Sequence, residues 1–484
     1  MTPTLREAYD LLHSGAAALS QVEANGIRVD VKYLYRTIRE TEGRIGKLEG
    51  ELKGDEVYRT WRQRFGDRAK LGSREQLATV LFDVLGLPSP GYTERSKQAG
   101  VKQRYRSDVE ILSKVKLPFV RKFIELEKLR KVRGTYLEGI RRELVEGFIH
   151  PSFNLHLVQT YRSSSSDPNF QNLPIRDPVQ GEIIRRCFIP RKGHLLVEVD
   201  FSGIEVRVAA CYNKDPVLIK YIEDPTTDMH RDMAMELFLL GKEQVDKKTT
   251  RDWAKNRFVF PQFYGSVYFQ CAPHLWEVVW SQVRSSDNRV SRVKLPDEDI
   301  TILKHLRRNG IVALGDCDPQ GEPEPGTFVY HVREVERKFW GERFQVYTDW
   351  KNRWYNDYLK KGWFDLFTGF RCSGVYKRNE VLNYPIQGDA SLCKLWSLIR
   401  LQKYLNKHRM KTKIIGEIHD SILADCPENE IHNYLSAAKR IMTVSLPKAW
   451  PWIIVPLDVE AEVAGTNWYE KKQWTQVNGK WTPK

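Results

Sequence analysis

Two aspartates stand where apolar, β-branched runs break off. Asp200 ends the run Leu195-Leu-Val-Glu-Val-Asp200, and Asp420 sits between the two β-like halves of the stretch Lys413 to Cys426. A carboxylate at the tip of a buried strand is costly to desolvate unless a cation meets it, and a divalent metal ion serves that purpose. The bland reading of one such aspartate is a turn residue or helix cap; a second strand-tip aspartate can meet the first. Glu198, two residues before Asp200, projects to the same face of the strand about 6–7 Å away and would add negative charge there, whereas the bland reading is a surface or locally paired Glu. Arg251 and Lys255 are four apart and share a helix face, which suits a grip on consecutive phosphates of one ligand. Taken singly, that pair is an ordinary solvated basic face. The stretch Thr160 to Pro174 is dense in Ser, Asn and Gln and carries Arg162. Such side chains suit phosphates, sugars and minor-groove acceptors, whereas the bland reading is a flexible linker.

These groups need elements to hold them. The run before Asp200 reads as a buried strand, with Ser202 placed to cap a helix beginning near Gly203. The two halves around His419-Asp420 read as a hairpin with Asp420 at its tip. Residues 5 to 50 read as helical with a turn at Asn25-Gly26, a strand-like Ile27 to Asp30, and Asp30 as the cap of the next helix. Charged, mostly helical sequence continues to about Gly147, interrupted at Gly86 to Gly100, and fits two long helical arms with a basic tip. Phe153 to Val158 alternates like a strand. Further helices are expected around Thr227 to Met233, Arg251 to Gly265, Val332 to Lys361 and Asn383 to about Lys407. The Trp and Tyr stripes of the third are expected to be core. Residues 281 to 330 are the least regular, and the acidic loop Gly315 to Gly326 has no metal-ligand spacing and reads as solvated. The chain closes with a strand-like Ile453 to Val463 and an aromatic-rich tail.

A chain of 484 residues exceeds one ordinary core and suggests roughly two to four subdomains. Its 41% hydrophobic and 11% aromatic content argues against global disorder. Lys and Arg total 77 against 62 Asp and Glu, a formal net charge of +15, which suits a polyanionic partner such as nucleic acid. The basic runs Arg121-Lys122, Lys128 to Arg133 and Arg141-Arg142 lie on helix-like stretches and favour phosphate contacts. Seven cysteines, none in a Cys-x-x-Cys pair, form neither a disulfide framework nor a zinc site and point to a reducing compartment. The first twenty residues lack an apolar signal core, and no apolar run approaches the ~18 residues of a membrane span. The expected setting is the cytoplasm, with no membrane partner.

In order along the chain, these motifs resemble those of the family A DNA polymerases, the bacterial polymerase I type. Asp200-Phe-Ser-Gly-Ile-Glu-Val-Arg207 resembles the first catalytic motif. Arg251, Lys255, Phe260, Tyr264 and Gly265 resemble the fingers-helix motif, and His419-Asp420 the third motif. Thr160 to Pro174 and Asn383 to Gly388 are similar to the primer- and template-binding segments. The resemblance runs from about Val22 to Trp468, with 281 to 330 as an insertion.

The resemblance implies an α+β, right-hand fold. Residues 1–34 would lead into a helical thumb at 35–147. The palm, with an antiparallel sheet, would comprise 148–225 and 371–484, and helical fingers would span 226–370. It also implies template-directed extension of a primer 3′-hydroxyl with dNTPs and release of pyrophosphate. Two Mg2+ ions would be held by Asp200, Asp420 and the backbone carbonyl of Phe201. Arg251, Lys255 and His230 would grip phosphates, with Lys255 also a proton donor to pyrophosphate. Glu205 would lie against the sugar C2′ and exclude a ribose hydroxyl. Phe260 and Tyr264 would pack on the incoming sugar and the template base. Arg162, Asn169, Gln171, Asn172, Gln387 and His419 would contact primer-template DNA. In the family, a Phe four residues before the motif's Tyr goes with poor use of nucleotides lacking a 3′-hydroxyl, and a Tyr there supplies a hydroxyl in its place. The thumb would begin almost at the start of the chain. A proofreading exonuclease would then be a separate partner, and a bacterial or phage-infected cell the expected source.

Four features depart from the family pattern. Gly203 stands where Gln is usual. Ser421 follows Asp420 where Glu is usual, removing a charge that Glu198 would restore. The fingers carry the insertion. Lys255 to Phe260 is one residue longer than the family spacing, and one extra residue turns a helix face by ~100°. Both residues face one ligand only if a π-bulge absorbs the extra residue, and Pro261, unable to donate to the carbonyl of Arg257, fits such a bulge. In a regular helix Val259 would meet the sugar instead. Two other readings stay open. One is a single-subunit RNA polymerase, opposed by Glu205 because a ribonucleotide needs room at C2′. The other is an inert nucleic-acid-binding relative, favoured by Gly203 and Ser421 and opposed by the two aspartates.

Overall fold

The apolar run before Asp200 becomes the central strand of a six-stranded antiparallel sheet, because Leu196, Val197, Val199 and Phe201 are all buried along it. We number the strands β1 (His194–Phe201), β2 (Lys413–Ile418), β3 (Ser421–Pro427), β4 (Val459–Ala464), β5 (Lys472–Val477) and β6 (Lys480–Pro483). Their spatial order is β2-β3-β1-β4-β5-β6, every pairing antiparallel. In this computed structural model residues 4–93, 96, 103–175, 177–281, 292–294 and 298–484 are described. The hairpin expected around Asp420 is present: β2 and β3 are joined at His419-Asp420, with His419 at φ 51°.

The N-terminal helix Leu5–Asn25 starts at a Thr4–Glu7 capping box and stops at Gly26, as the Asn25-Gly26 signal implies. Asp30 then caps the helix Val31–Gly54, accepting from the N–H of Tyr33. That helix packs on Pro118–Lys131, and these are the two expected arms. Phe119 and Phe123 of the second arm join Trp61 and Leu81 in a separate small core. The basic runs on these arms behave differently from expectation. Lys122 pairs with Glu51, Lys128 with Asp177, Arg130 with Glu49, Arg133 with Glu42, and Arg141 with Glu138. Glutamates and an aspartate, most of them from facing segments, take up most of this charge, so the runs are largely engaged in ion pairs within the chain.

Other local differences have simple causes. The strand expected at Phe153 to Val158 is confined to Ser152–Asn154, which pairs with Ser164–Ser166, so the polar loop folds back as a hairpin instead of running free. Within the expected insertion, the helix Ile302–Arg308 buries Ile302, Leu303 and Leu306. The acidic loop is solvated as expected. Asp316 and Asp318 accept from backbone N–H groups two residues on, and Glu322 pairs with Arg333. Phe339, Phe344, Tyr347 and Trp350 are buried, so the aromatic stripes are core. Among the described residues no helix is long and apolar enough to cross a membrane.

Candidate active site

The strand pattern brings the two aspartates together. Asp200, next to last on β1, is in register with Ser421 of β3 on one side and Glu460 of β4 on the other. Asp420 lies in the adjoining turn, and its carbonyl accepts from the N–H of Phe201 at 3.5 Å. The Phe201 ring is buried in the core, which leaves its backbone beside the carboxylates. Asp200 is exposed near the strand end, yet desolvation by the surrounding protein, and then the charges of Asp420, Glu198 and Glu460, push its carboxyl up to about 7. Burial also raises Asp420, against the pull of Arg162 and Lys394. Carboxylates crowded by like charge form a deficit that a divalent cation would relieve. Donors that are all oxygen suit a hard ion.

A cleft of about 380 Å³ opens beside them, lined by Arg162, Glu205, Phe260, Tyr264, Gln387, His419 and Asp420 together with Gly203, Tyr347 and Asn383. Gly203 sits at φ 62° and heads the helix Ile204–Asn213; the expected Ser202 side-chain cap is absent. A Gln at this position would meet the steric penalty of the left-handed region, which Gly avoids. Glu205, in the first turn, accepts from the Tyr264 hydroxyl and the Arg162 guanidinium, so one carboxylate ties three segments. Burial raises its pKa, while Arg162 and Tyr264 pull it down. Gly388 is required by close approach: a Cβ there would lie 2.9 Å from the carbonyl of Thr160.

The opposite wall carries the odd spacing. The chain is α-helical over Thr250–Ala254, widens to a π turn over Lys255–Val259, and resumes as α-helix over Phe260–Phe263. The N–H of Phe260 reaches the carbonyl of Lys255, five residues back, which is how the extra residue is absorbed. Phe260 lines the cleft, whereas Val259 is 0% exposed. The Lys255 ammonium lies 5.3 Å from the centroid of the Phe260 ring, and the His230 ring packs edge-on at 5.7 Å. Arg251 donates to Asp228 at 2.6 Å, and Asp228 also caps the helix Met229–Phe238. The sequence reading missed Asp228; its signal was an aspartate directly before a helix that carries His230. Burial, then Arg251 and Lys255, push His230 down to about 4. It therefore offers a neutral imidazole, not a third cation, and its Nδ1 has no hydrogen-bond partner among the described residues.

The polar loop divides into two groups. Arg162 faces the cleft, and Asn172 is exposed. Asn169 is turned inward on its own loop, accepting from the N–H of Asn172 at 3.2 Å and from Ser165 at 3.3 Å. Gln171 departs from the expected DNA contact. It is buried, and its amide donates to Ser163 at 3.1 Å and Glu417 at 3.4 Å, so it fastens the loop to β2. Glu417 and Lys394 form a fully buried pair at 2.8 Å, also missed; each was a charge inside an apolar stretch.

Glu198 is held locally. Its carboxylate accepts from Ser421 at 3.0 Å, Trp468 at 3.0 Å and Lys471 at 2.6 Å. Burial alone would raise this carboxyl, but Lys471 and these donors hold it below its ordinary value. Its charge is thus matched by Lys471 rather than offered freely to a cation. Glu198→Gln is expected to cost about 1–3 kcal/mol of stability at neutral pH. Because the folded pKa is depressed, the ionised group's contribution is full above the ordinary value of 4.5 and fades as pH falls through the folded pKa. Melting curves of both proteins from pH 7 downward should converge; a constant gap would mean the pair contributes nothing ionic.

The chain belongs to DNA polymerase family A: the model of that family matches residues 42–280 and 373–470, leaving the expected insertion within the unmatched segment. It is 29% identical over 464 residues to the thermostable DNA polymerase I of Thermus aquaticus, covering 95% of this chain and 48% of that protein. It is 30% identical over 458 residues to a thermostable DNA polymerase I of Thermus thermophilus, covering 94% and 47%. It is 29% identical over 476 residues to DNA polymerase I of Streptococcus pneumoniae serotype 4, covering 96% and 46%. The chain thus spans about half the length of the curated relatives it matches. Its fold is similar to the POL domain of Pol1 from M. smegmatis, solved in complex with DNA primer-template and dNTP. The TM-score is 0.70 at 22% identity, with 95% of this chain and 70% of that one covered. The α+β, right-hand architecture expected from the motifs is therefore the observed one.

Proposed function

We propose that this chain is a template-directed DNA polymerase that extends a primer 3′-hydroxyl with dNTPs and releases pyrophosphate. The observation that carries this reading is Asp200 set beside Asp420 at the end of the sheet, with Asp420 lining a cleft that Phe260 and Tyr264 also line and Lys255 held against the Phe260 ring. In this reading the arm within 35–147 is the thumb, 226–370 the fingers, and 148–225 with 371–484 the palm. Primer-template DNA and dNTPs are the partners, and the cytoplasm is the site of action.

Asp200, Asp420 and the Phe201 carbonyl would hold divalent cations, two magnesium ions in this reading. Bound there, such ions lower the pKa of the attacking hydroxyl and neutralise charge on the triphosphate and leaving group; polymerases are a familiar instance. The chain's own groups do the rest. Lys255, which has no carboxylate partner among the described residues, grips the triphosphate and supplies a proton to pyrophosphate. Arg251, steadied by Asp228, and neutral His230 add hydrogen bonds to the same phosphates. Arg162, Gln387 and His419 line the cleft where primer and template ends would lie, with exposed Asn172 nearby on the loop and Asn169 shaping it.

Primer extension with magnesium, comparing dNTPs and rNTPs, tests the reading; extension by rNTPs in preference would overturn it. Glu205, anchored by Tyr264 and Arg162, has little freedom to retreat from a ribose hydroxyl. Glu205→Ala is expected to reduce the dNTP-to-rNTP preference by about ten- to a hundredfold, with some loss of normal rate. An unchanged ratio would remove Glu205 from sugar selection.

A further inference from the structure

We propose that the outer face of the sheet-bearing body carries a docking groove for an acidic peptide segment of a partner protein. The groove, about 500 Å³, lies between the far end of the helix Arg378–Lys407 and the segment Arg440 to Ala449. Arg400, Lys403 and Lys407 line one side, at positions that share a helix face. Arg440 and Lys448 line the other. Along the helix, Arg400 to Lys407 lie ~20–30 Å beyond Gln387 at 1.5 Å per residue, so this is a site apart from the catalytic cleft.

Charge singles the groove out. No carboxylate lines the groove itself; Arg400 and Lys403 also border the adjoining cleft that Glu7 and Asp10 line, but among the described residues none of the five cations forms an ion pair. The helical arm shows the contrast, since Lys122, Arg130, Arg133 and Arg141 there each have a glutamate partner. Five exposed cations facing one another repel, and a polyanion seated between them relieves that repulsion. The floor is apolar: Trp396, Ile441 and Ala449.

The aromatic rings favour a peptide over single-stranded DNA. Single-stranded nucleic acid binds where open ring faces stack on bases. Here the Arg400 guanidinium lies over Trp396 at 5.0 Å and that of Arg440 over Tyr404 at 5.8 Å, while His408 packs at 4.2 Å from Tyr404. The rings hold the cations in place and are not free as stacking platforms. Fixed guanidinium groups above an apolar floor suit carboxylates flanking an apolar anchor.

The test uses the full chain saturated with primer-template, so that the catalytic cleft is occupied. The probe is a fluorescein-labelled peptide of Asp and Glu with one central Leu, read by anisotropy, alongside a labelled oligothymidylate. Lys403→Glu and Arg440→Glu are each expected to weaken peptide binding about tenfold or more while primer extension is retained, which reports an intact fold. Failure of the wild type to bind the peptide would overturn the proposal, as would equal binding by the variants. Tighter binding of the oligothymidylate, lost in the same variants, would overturn it in favour of a nucleic-acid groove.

Discussion

Asp200→Ala and Asp420→Ala are each expected to reduce primer extension by about a thousandfold or more while leaving duplex binding largely unchanged. Charge stabilisation at a cation site of this kind contributes several kcal/mol to the transition state, and each 1.36 kcal/mol is a factor of about ten in rate. Duplex affinity comes mainly from cations meeting phosphates, and neither aspartate makes such a contact. The geometry adds a second consequence. Asp420 is the strongest charge acting to raise Asp200, so removing it should let the Asp200 carboxyl fall from about 7. The surviving aspartate would then be more fully ionised, yet alone. Single-turnover extension in magnesium, with anisotropy for duplex binding, separates the effects. Substantial residual extension by either variant would sink the two-carboxylate assignment, and lost duplex binding would mean the fold was damaged.

The reasons some residues were legible and others were not are physical. Asp200 and Asp420 were readable because a strand has a fixed period and a hairpin a fixed tip, so local sequence sets where a side chain points. The π turn was readable because a one-residue excess cannot be hidden in a helix, and Pro261 removes the donor that would resist it. Charge partners were not readable. Arg130 meets Glu49 across 81 positions, and no local pattern announces a facing helix. Hence basic runs on the arms resembled phosphate sites. Gln171 failed for a related reason. A polar side chain in a polar loop is ambiguous until the loop docks, and here it docks on buried Glu417. Ser202 and Gly203 compete for one helix start. The left-handed backbone at Gly203, which starts the helix, selects glycine, and no side-chain cap from Ser202 forms.

Phe260→Tyr is expected to raise the use of dideoxynucleotides relative to dNTPs by about ten- to a hundredfold, and Val259→Tyr is not. The normal sugar presents a 3′-hydroxyl that a hydrogen-bonding partner recognises; without it, that partner is left unpaired in a dry site. A tyrosine hydroxyl placed at the same point makes good the loss, and one such bond, with the penalty it avoids, accounts for about 1–3 kcal/mol. Which residue can place it depends on the helix register. In an unbroken α-helix the family spacing from Lys255 would turn Val259 to the sugar. The π turn shifts the face by one residue, so the Phe260 ring lines the cleft between Lys255 and His230 while Val259 is fully buried. A Tyr at 259 would overpack the core behind the cleft and lower stability instead. Competition between each dideoxynucleotide and its dNTP in both variants decides the matter. Enhanced dideoxy use by the 259 variant alone would show that the helix presents Val259, and that the turn opens or closes when nucleotide binds.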